Sequence, residues 1–415
     1  MALKRHRLCQ RRKALGYSQE RLSELLGVER STVVRWENAE TDPQPWHRTR
    51  IASALGVTLE ALDGMFADVS VAKYRGQAMR DDRDDRASGA ARPELLTGLR
   101  TFLTGYLTPY APSALSATEI RRAVGKVHNH YQRASYTSAA RLLPDVLGQA
   151  SAFAEAATGM HRTRAFRLLA AAYLAASKLA AKVGDGDTAL LSADRASTAA
   201  RIANDQALMA VAAYQVACGL IRMPARADEA EQIVRASTDR LASAGPVIDP
   251  DLLSAHGSLL LLAAIITSGQ GQPKETANFL ARAEALASAL GSDRNRLWTG
   301  FGPTNVAIHA VSAAVRAGNT DRALKIGARL DTSRLPTVLV GRRAQVHIDM
   351  AEALMRSAGD RATSVLHLLE AERVAAECVH TNAQARMLLI DLLTMDRRAA
   401  TPGLRSLAER AGLLA

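Results

Sequence analysis

Three polar side chains near the N-terminus, Arg30, Ser31 and Arg35, have the types and spacing needed to read hydrogen-bonding edges on another molecule. Val33 and Trp36 lie three residues apart between them, which predicts a short helix with one buried face. The three polar side chains then point outward near the start of that helix. An arginine so placed can donate two hydrogen bonds to guanine O6 and N7 in a DNA major groove, which discriminates between bases by about 1–3 kcal/mol.

The residues before this helix predict a second helix and a tight turn. Ser18 is a natural N-cap, and Leu22, Leu25 and Leu26 supply an apolar face. Gly27 then ends the helix, because glycine adopts the left-handed conformation of a turn without steric cost. Residues 18–37, SQERLSELLGVERSTVVRWE, therefore predict helix, turn and helix.

Further helical segments surround this pair. The first 16 residues are basic with no acid, and apolar residues after Pro45 predict two more helices. Five short helices in about 65 residues can bury a small core. The predicted core members are Leu8, Leu15, Leu22, Leu26, Val33, Ile51 and Leu55.

This run closely resembles the Cro/cI-type (XRE) helix-turn-helix, with Ser23 at a position where that family usually has alanine. The resemblance implies a five-helix domain that binds double-stranded operator DNA. Base reading would fall to Arg30, Ser31 and Arg35, and Gln19 would contact a phosphate or a base edge. Backbone contacts would come from Thr32, Asn38, Arg48, Arg11 and Arg12. The alternative for Arg35 is a solvated surface pair with Glu37 or Glu40.

Composition limits what the rest of the chain can be. A chain of 415 residues must carry at least one further domain, and its formal charge of +12 suits a polyanionic partner. The three cysteines have no metal-binding spacing, and no catalytic motif or phosphate loop is present, so we expect no enzyme, no cofactor and no metal. The apolar run 252–266 predicts a buried helix rather than a membrane span. Together with the absence of a signal peptide, this predicts a cytoplasmic protein, and abundant arginine and alanine hint at an actinobacterial source.

The chain divides into three predicted regions. Residues 1–66 form the helix-turn-helix domain, residues 67–93 a charged linker, and residues 94–415 a helical repeat domain. In the last region small residues recur at the starts of helices, with two helices in each interval. The marker alanines are Ala189, Ala230, Ala277, Ala323 and Ala362, which stand 41, 47, 46 and 39 residues apart.

The recurrence resembles divergent tetratricopeptide repeats, whose period is nearer 34. It implies an all-α chain in which a right-handed α-solenoid of helical hairpins follows the N-terminal domain. A plain bundle of unrelated helices remains the alternative. Residues 298–309, WTGFGPTNVAIH, resemble a recurring segment of actinobacterial regulators that join this helix-turn-helix to such repeats.

That segment is the predicted effector site. Gly300, Gly302 and Pro303 interrupt the helical pattern, and polar residues flank the break. Inside a concave solenoid such residues can bind a peptide backbone or a carboxylate. The candidates are Arg294, Arg296, Trp298, Asn305 and His309. The alternative is that Trp298 and Phe301 are core, while Asn305 and His309 bond a neighbouring helix.

The sequence therefore predicts a homodimeric, sequence-specific transcriptional regulator. An effector, either a short peptide or a small metabolite, would modulate its DNA binding, as in the peptide-sensing (quorum-sensing) regulators of Gram-positive bacteria that this chain resembles. The competing hypothesis is a DNA-binding regulator whose repeat domain is a protein-docking scaffold without a small ligand.

Overall fold

The structure is a computed structural model that describes residues 5–66, 92–105, 113, 115–243, 249–357, 360–396 and 401–414. The described residues form helices and connecting turns, without a β-strand, so the chain is all-α. The predicted linker, residues 67–93, lies outside the described residues except for its last two positions.

The N-terminal module is a cluster of five helices, as predicted. They are α1 (His6–Ala14), α2 (Gln19–Leu26), α3 (Arg30–Glu37), α4 (Pro45–Leu55) and α5 (59–66). Ser18 accepts a hydrogen bond from the backbone N–H of Arg21 at 2.9 Å, and Gly27 ends α2 with φ of 64°. Both features confirm the sequence prediction.

The core of the module contains most of the predicted members. Leu8, Leu22, Leu26, Val33, Trp36, Ile51 and Leu55 are buried together with Leu62 and Phe66. Two predictions were wrong: Leu15 is 37% exposed and Leu25 is 41% exposed. Leu15 follows the last turn of α1, and Leu25 lies at the edge of the apolar face of α2, where no neighbouring helix covers it.

The helical array begins at α6 and continues to the C-terminal end of the described chain. Its helices are α6 (Arg92–Leu95), α7 (Thr97–Thr104), α8 (Ala117–Gln132), α9 (Tyr136–Ala156), α10 (Met160–Lys182), α11 (Gly186–Ile202), α12 (Gln206–Leu220), α13 (Ala227–Ser243), α14 (Pro250–Gly269), α15 (Pro273–Leu290), α16 (Pro303–Arg316), α17 (Thr320–Gly327), α18 (Val340–Arg356), α19 (Arg361–Val374), α20 (Ala376–Thr381), α21 (Ala383–Met395) and α22 (Leu404–Arg410). Short 3-10 turns occur at Arg296–Trp298 and Thr332–Arg334.

From α8 to α19 the helices alternate between two layers. Each even-numbered helix packs against the next even-numbered one, from α8 through α18, and the odd-numbered helices lie outside them. This is the stacking of a solenoid of helical hairpins. Helix α18 also contacts α8, so the inner layer curves round a central space.

The marker residues begin the outer helices α11, α13, α15, α17 and α19, and each interval holds two helices as predicted. Ala189, Ala230 and Ala323 are fully buried. Ala277 and Ala362 are exposed, and the neighbouring Thr276 and Thr363 take the buried position instead. The repeat is therefore present in the structure, but in those two copies the buried position lies one residue away from the marker alanine.

Helix α14 is long and apolar enough to cross a membrane by length and composition. It has 20 residues, against the 15-residue run expected from sequence, and 78% of its most apolar window is buried inside the array. The Phe301 ring packs so closely on Gly257 of this helix that a Cβ atom at this position would lie only 2.0 Å from the ring. Helix α14 is thus packed as a core helix of the array.

Candidate DNA-binding surface and central cavity

Helix α3 presents its polar face to solvent. Arg30, Ser31 and Arg35 are exposed, while Val33 and Trp36 on the opposite face are buried. The Arg35 guanidinium contacts only the Thr32 hydroxyl, at 3.4 Å, among the hydrogen bonds of the described residues. This face is therefore free to meet another molecule.

The alternative surface pair for Arg35 does not form. The Glu37 carboxylate is buried and accepts hydrogen bonds from Arg12 and Gln19, the latter at 2.7 Å. Glu40 accepts from the Asn38 amide at 3.2 Å. Neither acid is available to Arg35.

Three of the arginines predicted to contact the DNA backbone have hydrogen-bond partners within the protein. Arg12 is buried and makes a two-pronged pair with Glu37, with Nε–Oε1 and Nη2–Oε2 distances of 2.6 and 3.1 Å. This hydrogen bond with Glu37 raises the pKa of Arg12. Arg11 donates to the carbonyls of Leu55 and Gly56 at the C-terminal end of α4. These side chains hold the module together, because they join α1 to α3 and α4.

Arg48 is also buried, and it links the module to the array. Its guanidinium donates to Asp63 at 2.8 Å and to Glu370 of α19 at 3.3 Å. Beside it, Arg373 of α19 contacts Asp42 at 2.9 Å. Of the other predicted backbone contacts, Thr32 and Asn38 are half-buried, and the Gln19 amide is engaged by Glu37.

Aromatic rings extend this junction between the module and the array. The Trp46 ring lies 5.8 Å from the ring of His367, centroid to centroid. The Nδ1 atoms of His367 and His347 are 3.2 Å apart, so one donates to the other. Burial lowers the pKa of His347 to about 4 and also lowers that of His367, so both rings are neutral near pH 7. The series of ring contacts from Trp46 through His367 to His347 of α18 is therefore uncharged and packed.

The inner layer borders a cavity of about 200 Å³ that opens to solvent on one side. Helices α8, α10, α12, α14 and α18 and the turn at Trp298 form its wall. The polar and aromatic lining residues are Tyr131, Gln132, Tyr136, Lys178, Lys182, Tyr214, Gln215, Cys218, Arg222, Ser258, Trp298, Thr299, Arg342 and Gln345. We refer to this space as the central cavity.

Trp298 is held in a strained conformation at the cavity wall. Leu297 and Trp298 both have positive φ, 47° and 54°, which is uncommon for bulky residues. The Trp298 carbonyl accepts hydrogen bonds from Gln132 at 3.2 Å and from Lys178 at 3.1 Å. Its ring stacks on His128 with centroids 3.9 Å apart. These contacts fix the indole where the chain breaks between helices.

The other predicted effector residues do not line the cavity. Arg294 is exposed and bonds Ser292, whereas Arg296 pairs with Asp251. Asn305 is 1% exposed, and its Oδ1 has no hydrogen-bond partner. His309 donates from Nδ1 to the Asn305 carbonyl at 2.8 Å, within its own helix rather than to a neighbouring one as the alternative had it.

Burial and neighbouring charges shift the pKa values of the cavity groups. Desolvation, together with the smaller effect of the positive charge of Arg342, lowers the pKa of Lys178 to about 7. Desolvation raises the pKa of Tyr131 to about 12 and of Cys218 to about 11. Burial raises the pKa of Tyr214, and the nearby Arg342 guanidinium lowers it by a smaller amount. The cavity is thus positively charged at neutral pH and below.

Sequence reasoning missed Lys178, Arg342 and Gln215 as cavity residues. Lys178 did carry a signal, since it is a charged residue within the apolar run AAYLAASKLAA of α10. Arg342 carried none, because α18 contains several arginines. Within the described residues, no cluster of three or more His, Cys, Asp or Glu side chains is placed to hold a metal ion.

The N-terminal module, with its exposed helix α3, has the arrangement of a helix-turn-helix domain. Residues 10–62 match the sequence model of the Helix-turn-helix family. This match supports the Cro/cI-type (XRE) assignment of the N-terminal module, and with it DNA-binding transcription regulation. The match does not extend into the array. No curated protein and no solved structure matches the chain.

Proposed function

We propose that this chain binds an operator sequence through α3 and that an effector in the central cavity modulates that binding. The observation that carries the proposal is the cavity itself, which lies between the inner helices and is lined by charged and aromatic side chains. Pockets of this kind, mostly apolar with a few convergent polar groups, are typical ligand sites. A volume of about 200 Å³ favours a small metabolite over a short peptide.

The path from cavity to DNA runs through two helices. Arg342 and Gln345 of α18 line the cavity, and His347 on the same helix contacts His367 of α19. Helix α19 in turn carries the junction with the N-terminal module. An effector that favours one position of α18 would shift the population of module positions.

The reading face itself lies near the array. The positive charge of Arg35 helps lower the pKa of Asp331, after larger contributions from Ser333 and Arg334. Arg35 is therefore close enough to the array for a shift of the module to change its surroundings. We propose that the described arrangement restrains α3 and that effector binding alters this restraint.

We further propose a homodimer with domains at 1–66 and 94–415 and tetratricopeptide-like repeats in the second, working in the bacterial cytoplasm. Two modules related by a two-fold axis would meet operator half-sites about one helical turn apart. The DNA contacts assigned to the module are Arg30, Ser31 and Arg35 for bases, with Gln19, Thr32 and Asn38 beside them. Arg11, Arg12 and Arg48 are left out because their guanidinium groups are engaged within the protein.

A second candidate function is protein docking by the array. Helix α21 exposes three large apolar side chains, Met387 (57%), Ile390 (40%) and Met395 (43%). Scattered exposed apolar residues are common, but three on one helix fit a partner surface. Copurification of a stoichiometric protein partner that is lost in Met387→Lys would favour this function.

Selection of bound sequences from a random DNA pool tests the main proposal. The full chain is used, first alone and then with the small-molecule fraction of a bacterial extract. We expect one enriched sequence and a change in its affinity when the fraction is added. If one operator sequence is enriched but no fraction changes the affinity for it, DNA binding is upheld and effector control is refuted.

A further inference from the structure

We infer that the ligand of the central cavity is a small organic anion, an aromatic or other planar molecule bearing a carboxylate or phosphate. This inference rests on the proposed function, since it names the chemical class of the effector. Among the described residues, the cavity is lined by four cationic side chains and by no aspartate or glutamate. The cations are Lys178, Lys182, Arg222 and Arg342.

The two inner cations lack a carboxylate partner. Lys178 is 7% exposed, and its ammonium donates to the Trp298 carbonyl, a neutral acceptor. Arg342 is half-buried at the cavity wall. Within the described part of the chain, neither cation forms an ion pair. Unpaired cations that converge on one cavity attract a ligand of opposite charge, and a bound anion would stabilise the protonated form of Lys178.

Uncommitted polar groups lie beside these cations. Gln215 is 3% exposed, lines the cavity, and has no hydrogen-bond partner among the described residues. Tyr131 also lines the cavity. A carboxylate has two oxygens that together accept about four hydrogen bonds, which Lys178 and Arg342 can donate in part. The amide of Gln215 supplies a further donor.

The remaining wall determines the shape of the ligand. Tyr131, Tyr214 and Trp298 contribute rings, and Val211 and Leu339 contribute apolar surface. Flat rings favour offset or edge-on packing with another planar group. A space of about 200 Å³ holds one ring with a short acidic side chain. The geometry therefore combines an anion-binding end with an aromatic end.

The bound anion would also act on the strained turn. Lys178 is one of two donors that hold the Trp298 carbonyl, the other being Gln132. An anion that draws the ammonium toward itself weakens this hold. Leu297 and Trp298 can then leave their left-handed conformation, which moves the segment leading into α16.

Isothermal calorimetry on the full chain tests the inference with matched probes. Phenylacetate and phenyl phosphate are compared with the neutral phenylacetamide. We expect one of the two anions to bind at least about tenfold more tightly than the amide, because charge-assisted hydrogen bonds are the stronger ones. The two anion arms distinguish a carboxylate ligand from a phosphate ester. Equal binding of amide and anions, or no anion binding, overturns the inference.

Two variants locate the site. Arg342→Gln and Lys178→Met should each reduce anion affinity by about tenfold or more. Arg322→Gln, a change at an exposed arginine of α17 outside the cavity, should leave it unchanged. If a cavity variant fails to fold, as judged by thermal unfolding, Tyr214→Phe serves in its place. Full anion affinity in the folded variants contradicts the assignment.

Operator affinity measured with saturating anion separates this inference from the function on which it rests. Anion binding without any change in operator affinity would uphold the ligand class and refute effector control. Operator control by an extract fraction, with no binding of either anion, would uphold effector control and refute the ligand class.

Discussion

Arg48 of the N-terminal module and Glu370 of the array form an ion pair in which Nη2 and Oε2 are 3.3 Å apart and both side chains are buried. Arg373 extends the pair by contacting both Glu370 and Asp42. Acidic and basic side chains thus alternate across the junction, in the order Asp63, Arg48, Glu370, Arg373 and Asp42. Removing one partner of a buried pair leaves an uncompensated charge, which is why such pairs hold two surfaces in one arrangement.

Glu370→Gln should therefore release the module from the array. We expect a loss of stability on the order of 3 kcal/mol in denaturant unfolding, because Arg48 and Arg373 lose a shared partner. Operator affinity should then respond less to effector, as the link to α18 is weakened. Glu284→Gln, at an exposed acid of α15, is the matched control. An unchanged effector response in Glu370→Gln would show that the junction does not carry the signal.

Arg35→Ala should relax the operator sequence at one base position. The guanidinium is exposed and makes no ion pair among the described residues, so its loss costs the protein little stability. The expected loss of base discrimination is about 1–3 kcal/mol. Selection from a random DNA pool measures it, with Arg322→Ala as the control. If Arg35→Ala selects the wild-type sequence, α3 reads DNA with other side chains.

Arg12→Met should unfold the module rather than weaken phosphate contacts. Its guanidinium pairs with buried Glu37 and donates to the Tyr17 carbonyl at 2.6 Å. Loss of a buried pair costs about 3–5 kcal/mol, whereas Lys13→Met on the exposed side of α1 should change stability by no more than about 0.5 kcal/mol. Denaturant titration of both variants checks this. A stable Arg12→Met protein with a reduced salt dependence of DNA binding would restore its role as a phosphate contact.

The lowered pKa of Lys178 predicts a pH-dependent stability. Between pH 7 and the usual lysine pKa of 10.5, the unfolded chain holds a proton on Lys178 that the folded chain has released. The free energy of unfolding therefore rises with pH across this window. Arg342 faces the ammonium and repels it, Cys218 acts in the opposite direction, and the Trp298 carbonyl accepts a hydrogen bond from it, while burial keeps the neighbouring His128 neutral.

The wild-type chain and Lys178→Met are compared by thermal unfolding from pH 6.5 to 8.5. The variant should be more stable at the low end, and the difference should shrink as pH rises. Cys218 and Tyr131 have raised pKa values in both proteins, so their contribution to the pH dependence of stability cancels in this comparison. A difference that is constant with pH would place the Lys178 pKa at its ordinary value.

The N-terminal module was predictable because its signals are local. Ser18 and Gly27 mark the ends of one helix, and Val33 and Trp36 mark a buried face within a single turn. The exposure of Leu25 was not predictable, since only the direction of the neighbouring helices decides which apolar residue is covered. The role of Arg12 depends on Glu37, 25 positions away, which no local pattern indicates.

The helical repeat of the array could be predicted from the sequence, but the central cavity could not. Breaks in the helical pattern located Trp298 correctly at a special turn. The cavity, however, brings together Tyr131, Lys178 and Arg342 from three helices far apart in the chain. Their meeting depends on the curvature that returns α18 to α8, which follows from packing along the whole array. The nearby Asn305 and His309 had the right residue types but face the core.

Operator affinity of the full chain, measured with and without the active extract fraction, tests effector control most directly. For the wild-type chain we expect a change of at least about fivefold, the lower end of ordinary allosteric coupling. Arg342→Gln should keep the operator affinity of the unliganded protein and lose this change. A wild-type affinity that no fraction alters, or a full response in Arg342→Gln, would contradict control of DNA binding from the central cavity.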